Sequence, residues 1–205
     1  MQNPEDVKQA EKIELLVFTK GKAFIYVPEL VKNLAEHDCQ VRDSQFMFLS
    51  EDDVRRHYAH VVNSDFFPGM LKLYAEHPVF IMKVYGTIED VKSVVGKKTN
   101  PLACETMSFR AQYGNDMTDN AAHRSGDQND AALEIERFFG PKGIVTLFRQ
   151  NPEAQLEFFD KMVEYAQNVA WISAVWCLSF WGMDYPISLF LIKNILILII
   201  KIRLI

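Results

Sequence analysis

The segment Asn120-Ala-Ala-His123-Arg124-Ser125 sets one imidazole among short polar side chains, and Glu134 follows it by eleven residues. An imidazole can take a phosphoryl group on one ring nitrogen when the other is held in a fixed tautomer and the ring is oriented, a task suited to a carboxylate. Upstream stand Thr99-Asn100-Pro101 and Arg110, and a guanidinium is the planar cation that pairs with phosphate oxygens. Nucleophile, orienting acid and cation are the parts of a phosphoryl-transfer site. Taken singly, each has a plainer reading: His123 as a half-buried structural histidine, Tyr58 and Arg110 as groups in caps or ion pairs, Phe66-Phe67 as core. His37, His57, His60 and His77 share no motif and read as solvated.

The elements that must position these groups follow from periodicity. Ile13 to Phe18 is a short apolar run suited to a buried strand, and Pro28 begins a helix, Glu29 to Glu36, with apolar residues at helical spacing. Val41 to Leu49 reads as a strand, and Ser50-Glu-Asp-Asp as a helix start with acids in its first turn. Phe66 to Tyr74 reads as a helix, Pro78 to Tyr85 as a strand, Thr87 to Val95 as a helix that stops at Gly96, and Asp130 to Phe139 as a helix. Strands alternating with helices suggest an α+β sandwich. Phosphate-binding glycine loops of the P-loop and Rossmann types are absent from the sequence.

The order and spacing of Phe46 to Asp52, His57-Tyr58, Asp65-Phe66-Phe67, Pro78-Val79, Thr99-Asn100-Pro101, Arg110, Asn120, His123, Ser125 and Glu134-Ile135 resemble those of the nucleoside diphosphate kinase family, over Ile13 to Phe139. That resemblance implies a ferredoxin-like sandwich, a four-stranded antiparallel sheet covered by helices. It also implies a ping-pong cycle in which His123 takes the γ-phosphate of a nucleoside triphosphate and passes it to a nucleoside diphosphate. Glu134 would orient the ring with support from Ser125. Tyr58, Thr99, Arg110 and Asn120 match phosphate- and ribose-contacting positions, and Phe66 matches the aromatic on which any base can stack. Mg2+ would travel on the nucleotide, with no protein metal site. Members usually assemble as hexamers, or sometimes tetramers or dimers, while multidomain relatives often do not, so the resemblance leaves a homo-oligomer open.

Departures from the family pattern bear on activity. Members open with a strand ending Lys-Pro-Asp; counting back places Phe18 at the lysine, with Lys20 and Lys22 close by. The arginine of the helix before Thr99 is missing, which leaves Lys92 or Lys97-Lys98 as stand-ins without a guanidinium fork. A glycine after the histidine has become Arg124. Single charge-stabilising groups are commonly worth ~10²- to 10³-fold in rate, so reduced turnover is expected. A kept histidine beside altered phosphate ligands is similar to the kinase-like domains of ciliary and flagellar proteins, some fused to thioredoxin, nearest at Ser108 to Gly114. The alternative to an enzyme is thus a nucleotide-binding or scaffold module with axonemal partners, in the cytoplasm or a cilium.

With 205 residues and a net charge of −5, the chain offers no broad basic surface, which argues against nucleic acid as a partner. Cys39, Cys104 and Cys177 have neither disulfide nor zinc spacing and suit a reducing compartment. Four segments are expected: a polar tail over 1–12, the kinase-like domain over 13–140, a helical extension over 141–169 beginning at Asn151-Pro152, and a hydrophobic tail over 170–205. Three readings of that tail stay open: a membrane anchor over Ile187 to Ile205, a translated non-coding stretch, or a buried extension.

Overall fold

The structure is a computed structural model that describes residues 11–180. Residues 1–10 and the stretch 187–205 considered as an anchor lie outside the described residues. Among the described residues, no helix is long and apolar enough to cross a membrane.

Four strands form one antiparallel sheet: β1 (Ile13–Thr19), β2 (Gln40–Met47), β3 (Val79–Gly86) and β4 (Ala122–Arg124), in the order β2-β3-β1-β4. The helices are α1 (Val27–Glu36), α2 (Glu51–His57), α3 (Phe67–Glu76), α4 (Ile88–Val95), α5 (Phe109–Tyr113), α6 (Gln128–Phe139), α7 (Ile144–Gln150) and α8 (Pro152–Phe180). This is the ferredoxin-like α+β sandwich that the family resemblance implies.

Strand β1 runs through the middle of the sheet and is apolar on both faces, because helices cover both. Leu15 and Val17 point to one side and join Leu30 and Leu34 of α1 and Val91, Val94 and Val95 of α4. Leu16 and Phe18 point to the other and join Met70 and Tyr74 of α3 and Phe138 of α6. Fully burying each such side chain stabilises the fold by about 1.5–3 kcal/mol. Ile144 and Val145 of α7 lie in the second core, so this unit extends past residue 140, to Gln150.

Local signals set the helix ends. Ser50 and Asp53 cap α2 reciprocally, Thr87 accepts from Asp90 N at the start of α4, and Asp127 accepts from Asp130 N at the start of α6. Gly96 ends α4 at φ 120°, where a Cβ would come within 2.9 Å of Cys104 Sγ.

The second unit begins at Asn151, whose side chain caps α8 by accepting from Glu153 N and Ala154 N. Sequence reading breaks the chain between 169 and 170; helix α8 runs through that point without interruption to Phe180.

Candidate active site

His123 lies on β4, which pairs only with β1 and forms an edge of the sheet. Just before it, Ala121 takes φ 67°, a conformation uncommon for a residue with a Cβ, while Ala122 N donates to Asn120 O at 2.8 Å. This tight turn ends the loop and starts the strand. The side chain of His123 points toward α6, where Glu134 waits one and a half turns into the helix.

His123 Nε2 and Glu134 Oε1 are 2.9 Å apart, with both side chains largely buried. The carboxylate does not lie along the N–H direction, so Nε2 has no aligned hydrogen-bond partner. Contacts of this kind often align only once a ligand closes a site. Ser125 Oγ donates to Glu134 Oε2 at 2.6 Å and accepts from Leu16 N at 2.9 Å. The serine therefore fixes the carboxylate to β1 and does not touch the imidazole. With Nε2 turned to Glu134, Nδ1 is the ring nitrogen left to react.

A second histidine shares this pocket. His57 is buried, not solvated as its lack of motif suggested: its Nε2 is 3.9 Å from Glu134 Oε1, and its ring meets that of His123 edge-on at 4.5 Å. Arg137, one turn beyond Glu134 on α6, approaches His57 Nδ1 at 3.2 Å. Arginine can only donate, so Nδ1 is the acceptor and the proton of neutral His57 sits on Nε2, facing the carboxylate. One ligand atom from each of His57, His123 and Glu134 lies within 4.8 Å of the others, at metal-ligand spacing. Arg137 disfavours a metal there, because it holds His57 with its proton on the nitrogen that would have to bind the ion.

These groups line a cleft of about 760 Å³ off the edge of β4. Of the residues read from the sequence, Tyr58, Phe66, Thr99, Arg110, Asn120, His123 and Glu134 all line it. Phe66 is half-exposed at its rim, as a stacking platform would be, whereas Phe67 is core. Tyr58 is buried and shares a hydrogen bond with Tyr74. Asn120 Nδ2 donates to Met117 O, but its Oδ1 is buried without a partner. Arg110 gives most of its donors to backbone: Nε and Nη2 to Ala122 O, Nη1 to Gly96 O and Lys98 O.

Lys92, the stand-in read from the sequence, does not line the cleft. It sits on α4 and binds Glu89 at 3.0 Å, the ordinary pairing of residues three apart on a helix surface. Lys97 pairs with Glu105 at 3.9 Å. Phe18 is fully buried against His123, while Lys20, two residues further and just past the end of β1 in extended backbone, lines the cleft and is only 4% exposed. A lysine is thus present after all. Arg124, Arg137 and His60 also line the cleft, and the family pattern pointed to none of them.

Electrostatics follow from burial beside unpaired cations. Burial, then Lys20, Arg110, Arg124 and Arg137, hold His123 well below its ordinary pKa, so the ring is neutral at pH 7. His57 is pushed down to about 2 by burial and by His123. Lys20 falls to about 8 through burial and the nearby Arg110, with Asp119 and Asp116 opposing. Glu134 is raised by burial, and its bond from Ser125 opposes that rise.

Comparison with known proteins agrees with this geometry. The nucleoside diphosphate kinase family profile matches residues 17–144. The chain belongs to the nucleoside diphosphate kinase family. A nucleoside diphosphate kinase of Listeria monocytogenes is 27% identical over 138 residues, covering 66% of this chain and 93% of the relative. One from Cyanothece is 28% identical over 138 residues, covering 66% and 92%. Among solved structures, the kinase of Aquifex aeolicus superimposes with a TM-score of 0.56 at 20% identity, over 61% of this chain and 93% of that one. A halophilic kinase from Halobacterium salinarum in complex with CDP gives 0.55 at 24% identity, over 61% and 86%. At those identities the structural likeness speaks for the fold alone.

Proposed function

We propose that this protein is a nucleoside diphosphate kinase that works through a phosphohistidine on His123. The observation that carries the reading is the contact between His123 Nε2 and Glu134, backed by Ser125, beside a cleft walled by cations. The Nδ1 lone pair attacks the γ-phosphorus of a nucleoside triphosphate. The bond to the β–γ bridging oxygen breaks, and its electron pair leaves with the nucleoside diphosphate. Charge on the imidazole rises as the N–P bond forms, and the Glu134 carboxylate stabilises it through Nε2. A second nucleoside diphosphate then takes the phosphoryl group by the reverse step.

Each lining group has a task in this reading. Lys20 and Arg110 neutralise the phosphates, the partnerless Asn120 Oδ1 accepts from a ribose hydroxyl, Tyr58 and Thr99 border the same path, and the base lies on Phe66. Mg2+ suits the nucleotide's own phosphate oxygens, which supply hard ligands; when bound there it neutralises charge on the transferring group. Glu134 is already engaged by His123 and Ser125. The cytoplasm is the compartment that suits its unpaired cysteine pattern, and a homo-oligomer is one assembly open to it.

A second reading, a nucleotide-binding or scaffold module with little turnover, is favoured by one observation: Arg110 has most of its donors on backbone carbonyls. A place in a cilium, with axonemal partners, would belong to that reading. The test is incubation with Mg2+ and ATP labelled in the γ-phosphate. The first reading expects an acid-labile, base-stable label that His123→Ala abolishes and that added nucleoside diphosphate removes. Nucleotide binding without label would favour the second.

A further inference from the structure

Arg124 follows the nucleophile directly on the edge strand, yet its side chain lies on the α4 side of the sheet, while His123 faces α6. The cleft lies off the edge and takes in both side chains. Three carbonyls anchor the guanidinium: Nε donates to Gly96 O at 3.2 Å, Nη1 to Ser125 O at 3.1 Å and Nη2 to Lys97 O at 3.0 Å. A guanidinium has five N–H groups, so one N–H on each terminal nitrogen remains. The fork is held rigid with two donors unused, the arrangement that binds a phosphate through two oxygens.

The carboxylates around it act only from a distance: Glu89 on Arg124, Asp119 and Asp116 on Lys20. Arg124 stands close enough to Arg110 to lower that residue's pKa, second only to burial. Among the described residues, neither arginine has a carboxylate at ion-pair distance, and Lys20 has none either. Three half-buried or buried cations in one cleft repel one another, and a ligand of several negative charges would reverse that. Helix α4 itself sends no cation to the cleft, because Lys92 is turned to Glu89. The plainer role for Arg124 is to cap the last carbonyls of α4. Capping alone leaves the two spare donors, and a charge that Glu89 only partly offsets, unexplained.

We propose that Arg124 is a phosphate ligand of this cleft, holding the terminal phosphate of a bound nucleoside triphosphate beside His123. This rests on the kinase reading for the identity of the ligand, but not for the anion site itself. The residue that departs from the family's glycine therefore adds a phosphate contact.

Calorimetric titration of the full chain with tripolyphosphate, ATP and AMP tests the proposal, using Arg124→Leu, Arg124→Gln and Arg124→Lys. Tripolyphosphate and ATP should bind ~10- to 100-fold more weakly to the leucine and glutamine variants, with a smaller loss for AMP and for the lysine variant. Glutamine keeps neutral donors for Gly96 O and Lys97 O, so it separates charge from capping if the leucine variant unfolds. Equal affinities across the variants, an equal fall for ATP and AMP, or no binding of tripolyphosphate to the unmodified protein would each overturn the proposal. Labelling of His123 by ATP is scored separately. Arg124-dependent binding of tripolyphosphate without label would sustain the proposal and sink the kinase reading; label with unchanged affinities would do the reverse.

Discussion

Phe18 and His123 stack face to face across paired strands, with ring centroids 4.6 Å apart and planes inclined by 18°. Phe18 is wholly buried, and its other neighbours are the rings of His57, Tyr74 and Phe138. One face of the imidazole therefore rests on an apolar wall. The wall limits rotation of the imidazole and keeps water from that side, which favours the neutral ring.

Sequence reading alone suggests that lysine at position 18 would restore a missing phosphate ligand. The stack predicts otherwise. Phe18→Lys buries an ammonium in an apolar core and removes the ring under His123, so we expect a loss of about 3–5 kcal/mol of stability and no gain in turnover. Urea denaturation measures the first and single-turnover labelling the second. A stable variant with faster labelling would show that Phe18 occupies a phosphate position.

The role of the carboxylate can be separated from its shape. Glu134→Gln keeps the size of the side chain but removes the charge that faces Nε2, and phosphorylation of His123 should slow ~10²- to 10³-fold. Ser125→Ala leaves Glu134 and Leu16 N without their shared partner, and a smaller fall is expected. Rapid-quench measurement of the labelled intermediate distinguishes these from a binding defect. A glutamine variant as fast as the parent would remove Glu134 from the mechanism.

Buried histidines make the fold sensitive to acid. His57 and His123 ionise near 6.5 in the unfolded chain but are held lower in the folded one, His57 down to about 2. Below 6.5 the unfolded state takes up protons that the folded state refuses, so stability is full above that pH and falls as pH drops beneath it. Each such histidine contributes a slope of about 1.4 kcal/mol per pH unit. Glu134, raised by burial, works the other way: its penalty is relieved as pH falls through its folded value. Denaturant midpoints measured between about pH 8 and pH 5 should therefore fall toward acid, and His57→Gln should flatten the curve. A midpoint independent of pH would mean that the histidines take protons within the folded state.

Most of the sheet was legible because β1 and β3 carry strong apolar runs and the helices carry clear caps and breakers. Strand β4 was not: three residues give no periodicity, and only the family resemblance supplied a fourth strand. Residues of the site whose spacing defines the family, such as His123 and Glu134, could be read from order alone. His57 could not, because its burial depends on the meeting of α2 and α6, far apart in sequence. Arg137 had a faint signal, three residues from Glu134 and so on the same face of α6. Arg124 read only as the loss of a glycine, because position shows which residue replaces it and only coordinates show where its guanidinium goes.

Lys20 gives the sharpest test of how the cleft recognises phosphate. It follows Phe18 by two, just past the end of β1 in extended backbone, so the alternation that puts Phe18 under His123 also brings Lys20 to the cleft wall, over the ring of Tyr58 at 5.9 Å. Burial and Arg110 lower its pKa to about 8, so the empty protein loses this cation as pH rises through that value. Nucleotide affinity should weaken from about pH 7 to pH 9.5, and bound phosphate, by favouring the ammonium, should draw a proton from solvent in that range. Lys20→Arg keeps its charge throughout, so its affinity should change far less with pH. Lys20→Ala should bind ATP ~10-fold or more weakly at pH 7, while Lys22→Ala should change little, since Lys22 is exposed and away from the lining. Titration in two buffers of different ionisation enthalpy counts the protons taken up. No uptake, with an alanine variant that binds as well as the parent, would remove Lys20 from the phosphate site.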